Sequence, residues 1–247
     1  MNPDRIRFST CMIVCVYCTA VADTHAAWSD VFRLFTGESS QSTSSALTNS
    51  EMINGLKEAL SNGTQSAINN LGRTDGFFKN PKVRIPMPES LEKVEKTLRK
   101  LKQDKTVDEF ILSMNRAAEQ AVPEAASIFS DTIRSMSFDD TRDILQGPED
   151  AATQYFKHYS GARIEEKMLP IVKKSTNAAG ITAKYKNMVD KMGTLSSLVD
   201  KKSLDIDRYV TRKALEGLFK MLAAEEKLIR NDPAARTTTL LKKVFGT

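Results

Sequence analysis

Cysteine and histidine, the residues that most often carry catalytic and metal chemistry, are almost missing from this chain. Of 247 residues, three are Cys (Cys11, Cys15, Cys18), two are His (His25, His158) and one is Trp, Trp28. Glycine and proline are also scarce, at 11 and 8 residues, below the average usage of about 12% for the two together. Apart from the first two dozen residues there is no long hydrophobic run. These shortages exclude a disulfide framework, a zinc finger and a collagen-like or low-complexity chain. Few backbone breakers also favour helices. What is present is ordinary globular material: 40% hydrophobic and 27% charged residues, too apolar for a disordered tail and too charged for a multi-span membrane protein. The net charge of +5 is a mild excess spread along the chain. No segment clusters basic residues with interleaved aromatics, so the sequence gives no reason to expect nucleic-acid binding.

The amino terminus reads as a cleaved secretory signal over residues 1–26. Arg5 and Arg7 form a positive n-region, and Phe8 to Ala22 is an apolar run broken only by Ser9, Thr10 and Thr19. Ala20-Val21-Ala22 and Thr24-His25-Ala26 both have the small-residue shape of a cleavage site. The second leaves a short polar gap after the apolar run and is preferred. The run is shorter than the ~20 residues of a membrane span, and Cys18 follows Val16-Tyr17 rather than the small residues of a lipidation site. Export would place the protein in the periplasm, with no membrane span after cleavage. Cleavage would remove every cysteine and leave His158 as the one imidazole, so neither a metal nor a cofactor is expected.

Residues 27–45 read as a polar, flexible linker. It carries an apolar patch at Trp28, Val31, Phe32, Leu34 and Phe35, then a Ser-, Gln- and Thr-rich run. From residue 46 to 247 the pattern predicts a single all-α domain, a compact bundle of eight to ten helices. The capping box Thr48-Asn49-Ser50-Glu51 opens a helix to about 72. Residues 73–88 read as a loop with Phe77, Phe78, Val83 and Ile85, held extended at Pro86-Met87-Pro88. Leu91, Val94, Leu98 and Leu101 mark the next stripe, and a second capping box is expected at Thr106 to Glu109. Further helices are expected from Pro123 to Met136 and from Ser137 to Gly147. Two more follow, from Pro148 to Gly161 and from Ala162 to Ala179, the latter kinked at Pro170 and closed by a left-handed Gly180. The remainder reads as a helix over 182–192, a loop at 193–204, a long helix from Asp205 to about Arg230, and a last one from Asp232-Pro233 to Phe245.

Several stretches resemble one bacterial family. These are Val83-Arg84-Ile85-Pro86-Met87-Pro88-Glu89-Ser90-Leu91 and Ser113-Met114-Asn115-Arg116-Ala117-Ala118-Glu119, followed by Asp207-Arg208-Tyr209-Val210-Thr211, Lys213 to Phe219, and Asp232-Pro233-Ala234-Ala235-Arg236-Thr237-Thr238. Taken together the chain resembles the exported proteins grouped as domain of unknown function 4197, from about Ala46 to Phe245. The resemblance implies an exported, helical bacterial protein. It transfers no activity, cofactor or catalytic residue.

The residues themselves offer one candidate polar cluster in two parts. Asn115, Arg116 and Glu119 lie within one helix, with Asn115 and Glu119 sharing a face, where they either present an amide and a carboxylate to an inter-helix cleft or join two helices by hydrogen bonds that fix their register. Glu225 falls between Leu222 and Ile229 on the inward stripe of the long helix, where a carboxylate must be paired or protonated unless the position is an edge in contact with water. Arg230 and Arg236 are its candidate partners. His158 lies among Tyr155, Phe156 and Tyr159 and reads as an aromatic-flanked helix end. Asp139, Asp140 and Asp143 lack calcium-loop spacing and fit a helix N-terminus. No phosphate loop, nucleophile elbow or His-Glu-x-x-His motif occurs.

Two functions remain open. One is a periplasmic binding or interaction module for an envelope protein or an apolar small molecule, with Phe77 and Phe78 either exposed at a contact surface or plugging the core. The other is a carboxylate-dependent hydrolase or lyase without a transition metal, using Glu119 and Glu225. Carboxylates facing one open pocket would favour the enzyme, and carboxylates locked by arginines would favour binding.

Overall fold

The computed structural model of the protein describes residues 48–190, 205–236 and 238–245. The expected signal and linker, and the loop at 193–204, lie outside them. Helix α1 (Asn49–Gly72) begins at the box read from the sequence. The Thr48 hydroxyl accepts the Glu51 N–H at 3.2 Å, and Glu51 accepts the Thr48 N–H at 3.0 Å. A non-helical segment over 73–88 and a 3-10 turn at Glu89–Leu91 lead to α2 (Glu92–Lys100). Next come α3 (Asp104–Ala121), a 3-10 turn at Val122–Glu124 that places Pro123 early, and α4 (Ala125–Ser135). Helix α5 (Phe138–Gln146) is opened by a second reciprocal box, Ser137 with Asp140. The hydrogen bonds from Ser137 hold the Asp140 carboxyl below the usual range, so Asp140 serves a helix start, as its position implied.

Helices α6 (Ala151–Ala178) and α7 (Ile181–Asp190) flank Gly180, whose φ of 63° is the left-handed stop expected there. Helix α8 (Ile206–Asn231) starts at Asp205, which accepts the Arg208 N–H at 3.0 Å. A 3-10 turn at Pro233–Ala235 precedes α9 (Thr239–Phe245). All of these elements belong to one compact unit that begins at Ala46.

Among the described residues the all-α class stands, with about seven helices once the shortest segments are set aside, rather than eight to ten. One reason is α6. The stretches before and after Gly161 are one continuous 28-residue helix. Glycine costs a helix only about 1 kcal/mol, and burial of Phe156, Ile164, Met168 and Val172 along the same face outweighs that. His158 is therefore mid-helix rather than at an end. Other boundaries shift for similar reasons. Helix α3 starts before Thr106, Leu101 lies beyond α2 and is 51% exposed, and the stretch from Asp232 is a turn and a short helix instead of one helix.

Helices α6 and α8 pack most extensively on each other, and both also meet α3. Their shared core includes an edge-to-face pair, Phe129 with Phe156, at 4.9 Å between ring centroids, with Phe219 at 6.2 Å from Phe129. The non-helical segment supplies core as well: Phe77 is wholly buried, and Val83, Ile85 and Met87 are buried while Lys82, Arg84 and Pro86 are exposed. That is strand-like alternation in a chain whose described residues form no sheet.

The close approach of this segment to α8 requires Gly217. A Cβ there would lie 2.8 Å from the Phe77 ring and 3.2 Å from Val83 Cβ. At Gly161 the same atom would lie 3.9 Å from the Phe219 ring, an ordinary contact. Gly217→Ala is expected to destabilise the fold by about 1–3 kcal/mol through overpacking, whereas Gly161→Ala is expected to be neutral or to stabilise by up to about 1 kcal/mol. Denaturant melts of the two variants check this. Equal effects would contradict the close-approach account.

Candidate functional site

The first candidate cluster forms where α3 faces the segment 73–88. Asn115 is fully buried. Its Oδ1 accepts the Ile85 N–H at 2.9 Å, and its Nδ2 donates to the Ile85 carbonyl at 2.9 Å and to the Ile111 carbonyl at 2.8 Å. A side-chain amide offers the donor and acceptor of a peptide group, so Asn115 takes the place of a neighbouring strand for an extended residue that has none. One turn further on, Glu119 is 3% exposed. Its Oε1 accepts the N–H groups of Phe77 and Phe78 at 3.0 and 3.2 Å, and its Oε2 receives Arg116 Nη1 at 2.6 Å.

Arg116 then reaches outward and donates to Asp75 Oδ1 at 2.6 Å. Lys79 holds the other Asp75 oxygen at 2.8 Å. The hydrogen bonds from Lys79 and Arg116 hold the Asp75 carboxyl below its ordinary range, and the bond to Glu119 is the main cause that raises Arg116. The turn that makes this possible is tight. Asp75 has a φ of 67°, and any Cβ on Gly76 would collide with the carbonyls of Asn70 and Leu71. Asn115, Arg116 and Glu119 come together here, and they latch a loop instead of joining two helices. Asp75, Gly76 and Ile85 complete the latch. The alternation Val83, Ile85, Met87 was the available signal for them.

The second part of the cluster needs correction. Glu225 is half-buried, its Cβ facing Gly63, and among the described residues no cation pairs with it. The inward position is the next one. The buried stripe of α8 runs through Ala214, Leu218 and Leu222 at four-residue steps and continues to Glu226, so placing it by Ile229 misjudged the helical phase by one residue. Glu226 is 8% exposed. Its oxygens accept the Ala152 N–H at 2.9 Å, and the Thr153 N–H and hydroxyl at 2.9 Å each. These are first-turn amides of α6, whose own N-cap Asp150 makes no side-chain cap bond. A carboxylate from another helix therefore caps α6, where the helix dipole also favours negative charge.

Arg230, one turn beyond Glu226, pairs with it at 2.9 Å and donates to the Ile144 carbonyl at the end of α5 at 2.8 Å. Arg236 pairs with no carboxylate among the described residues. Its guanidinium donates to the carbonyls of Ile229 and Arg230 at 3.1 and 2.7 Å and closes the end of α8.

As chemistry, these groups are spent. Acid–base catalysis needs a carboxylate oxygen within reach of a substrate. Glu119 and Glu226 instead engage both oxygens with N–H groups, a hydroxyl or a guanidinium. Glu119 and Glu225 line none of the principal clefts. Among the described residues no group of three or more His, Cys, Asp or Glu side chains is arranged to hold a metal, and no helix is long and apolar enough to cross a membrane. Phe77 is core, and Phe78 is half-buried beneath the Arg84 guanidinium, 4.8 Å from its ring centroid. One of the clefts is an apolar crevice between α1 and α8. Leu56, Leu60, Leu222, Ile229 and Phe245 line it, and the Glu226–Arg230 pair forms one wall.

Removing one partner of a buried pair costs about 3–5 kcal/mol, so Glu226→Gln should lower stability on that scale. Glu225→Gln should stay within about 0.5 kcal/mol of the parent, as surface substitutions do. Thermal melts of both variants decide the assignment, and a larger loss for Glu225→Gln would reverse it.

Compared with known proteins, residues 46–246 match the model of a family described as proteins of unknown function, DUF4197. No curated protein and no solved structure matches the chain significantly.

Proposed function

The chain belongs to that family, and we propose that it is an exported, non-catalytic binding module that takes an apolar partner in the crevice between α1 and α8. One observation carries the reading: the crevice is walled by aliphatic side chains, and its two charged residues, Glu226 and Arg230, are already committed to each other and to helix ends. Such a site offers burial of apolar surface and no reactive group. The crevice offers a space of about 20 Å³, room for one water-sized body. A larger apolar ligand therefore enters only when Phe245, at the end of the short α9, swings aside. An apolar small molecule fits this better than an envelope protein does, because so small a space leaves no area for a protein surface. Export rests on Arg5, Arg7, the apolar run to Ala22 and the small residues before Ala27, and places the module in the periplasm.

Two measurements test the reading. Mass spectrometry of the exported protein is expected to find Ala27 at the amino terminus; an intact Met1 in the membrane fraction contradicts export. The neutral fluorophore N-phenylnaphthylamine is expected to bind more tightly to Phe245→Ala and to be excluded by Ala59→Leu, which fills the crevice wall. Unchanged fluorescence with both variants would remove the crevice as a binding site.

A further inference from the structure

A second surface lies elsewhere on the molecule, and its character is electrostatic. Arg212, Glu216 and Lys220 are exposed along one side of α8. Shallow hollows flank this crest on both sides. One reaches Lys157 on α6, and the other reaches Lys82 and Arg84 on the extended segment. Glu216 is neutralised by Lys213 at 2.7 Å. Among the described residues, Lys82, Arg84, Lys157, Arg212 and Lys220 have no carboxylate partner. The contacts that Arg84, Lys157 and Lys220 do make leave their charges intact. Arg84 lies over the Phe78 ring, Lys157 is 5.9 Å from the Phe219 ring centroid, and Lys220 donates to the Lys82 carbonyl at 2.9 Å. The contrast within the same chain is plain. Arg99 is matched by Glu95, Asp104 and Asp108, and Arg116 by Glu119 and Asp75.

We propose that this five-cation face is a docking surface for an anionic phospholipid bilayer, held by headgroup phosphates. The shape selects the partner among polyanions. The five cations are spread over α6, α8 and the extended segment rather than along one groove, so a broad array of phosphates meets them together where a single strand would not. Single-stranded nucleic acid would also need rings on which bases stack. The rings at this face are not free, since Phe219 is 5% exposed and Phe78 is covered by Arg84. Arg212 and Lys220 are eight residues apart, about 12 Å along the helix, so α8 lies lengthwise on the headgroups. No single stretch of sequence is basic enough to reveal this face. It forms because the fold brings 82–84 beside 212–220. It is separate from the apolar crevice and holds whether or not that crevice takes a ligand.

The test is co-sedimentation of the full chain with vesicles of phosphatidylglycerol in phosphatidylcholine and with vesicles of phosphatidylcholine alone. The expected result is preference for the anionic vesicles, weakened by raising the ionic strength. Each cation removed should cost about fivefold in affinity. Arg212→Glu with Lys220→Glu, and separately Lys82→Glu with Arg84→Glu, should therefore each lose well over tenfold with unchanged melting. Lys93→Glu with Lys100→Glu, exposed on α2, should bind as the parent does. The apolar run at 8–22 inserts into both vesicle types and resists salt, so the quantity compared is the salt-sensitive excess on the anionic vesicles. No such excess, insensitivity of that excess to the face variants, or a single-stranded oligonucleotide that outcompetes the anionic vesicles would each overturn the proposal.

Discussion

A helical bundle satisfies its backbone polar groups inside its helices and therefore has nothing to offer a non-helical segment that it buries. The extended segment 73–88 places Phe77, Val83, Ile85 and Met87 in the core, so the peptide groups of Phe77, Phe78 and Ile85 leave water with no strand beside them. An unsatisfied buried N–H or carbonyl costs about 1–3 kcal/mol. Glu119 and Asn115, four residues apart on α3, supply the missing partners. Arg116 then anchors the carboxylate from the solvent side. The remaining geometry follows from this arrangement. Gly76 must be glycine for the chain to turn against α1, and Gly217 must be glycine for Phe77 to reach α8.

The same requirement recurs at the helix ends. Helices that stop inside a domain leave first-turn N–H groups and last-turn carbonyls without intrahelical partners. The junction between α5 and α6 is served by one ion pair from α8. Glu226 takes the amides that open α6, and Arg230 takes a carbonyl that closes α5. Arg236 does the same for the end of α8. The buried charges thus stand in for backbone that the helices cannot complete, and this accounts for Glu119, a carboxylate that looks like a site in sequence yet presents no free oxygen.

Much of this was legible in the residues. The capping box at Thr48, the left-handed Gly180, the start at Asp205 and the shared face of Asn115 and Glu119 follow from local spacing, and the structure has them, whereas the box expected at Thr106 is absent because its helix begins at Asp104. What escaped was set by tertiary contact. Gly161 reads as a helix end because local propensity is all that a sequence window contains, and packing on α8 carries the helix through it. Ile229 resembles an inward residue and so points to Glu225, although the four-residue steps from Ala214 point to Glu226. The alternation from Val83 to Met87 has no second strand to pair with, and its meaning lies in Asn115, which stands beside Ile85. The basic face could not be read at all, since its two halves are more than a hundred residues apart.

If buried side chains complete the backbone of segment 73–88, that segment is part of the core and not a surface loop. Native-state hydrogen exchange at the amides of Phe77, Phe78 and Ile85 measures this directly. These amides are predicted to be protected to the same limit as the central amides of α3 and α6, exchanging only on global unfolding. Exchange at the rate of an open loop, while α3 and α6 remain protected, would contradict the account.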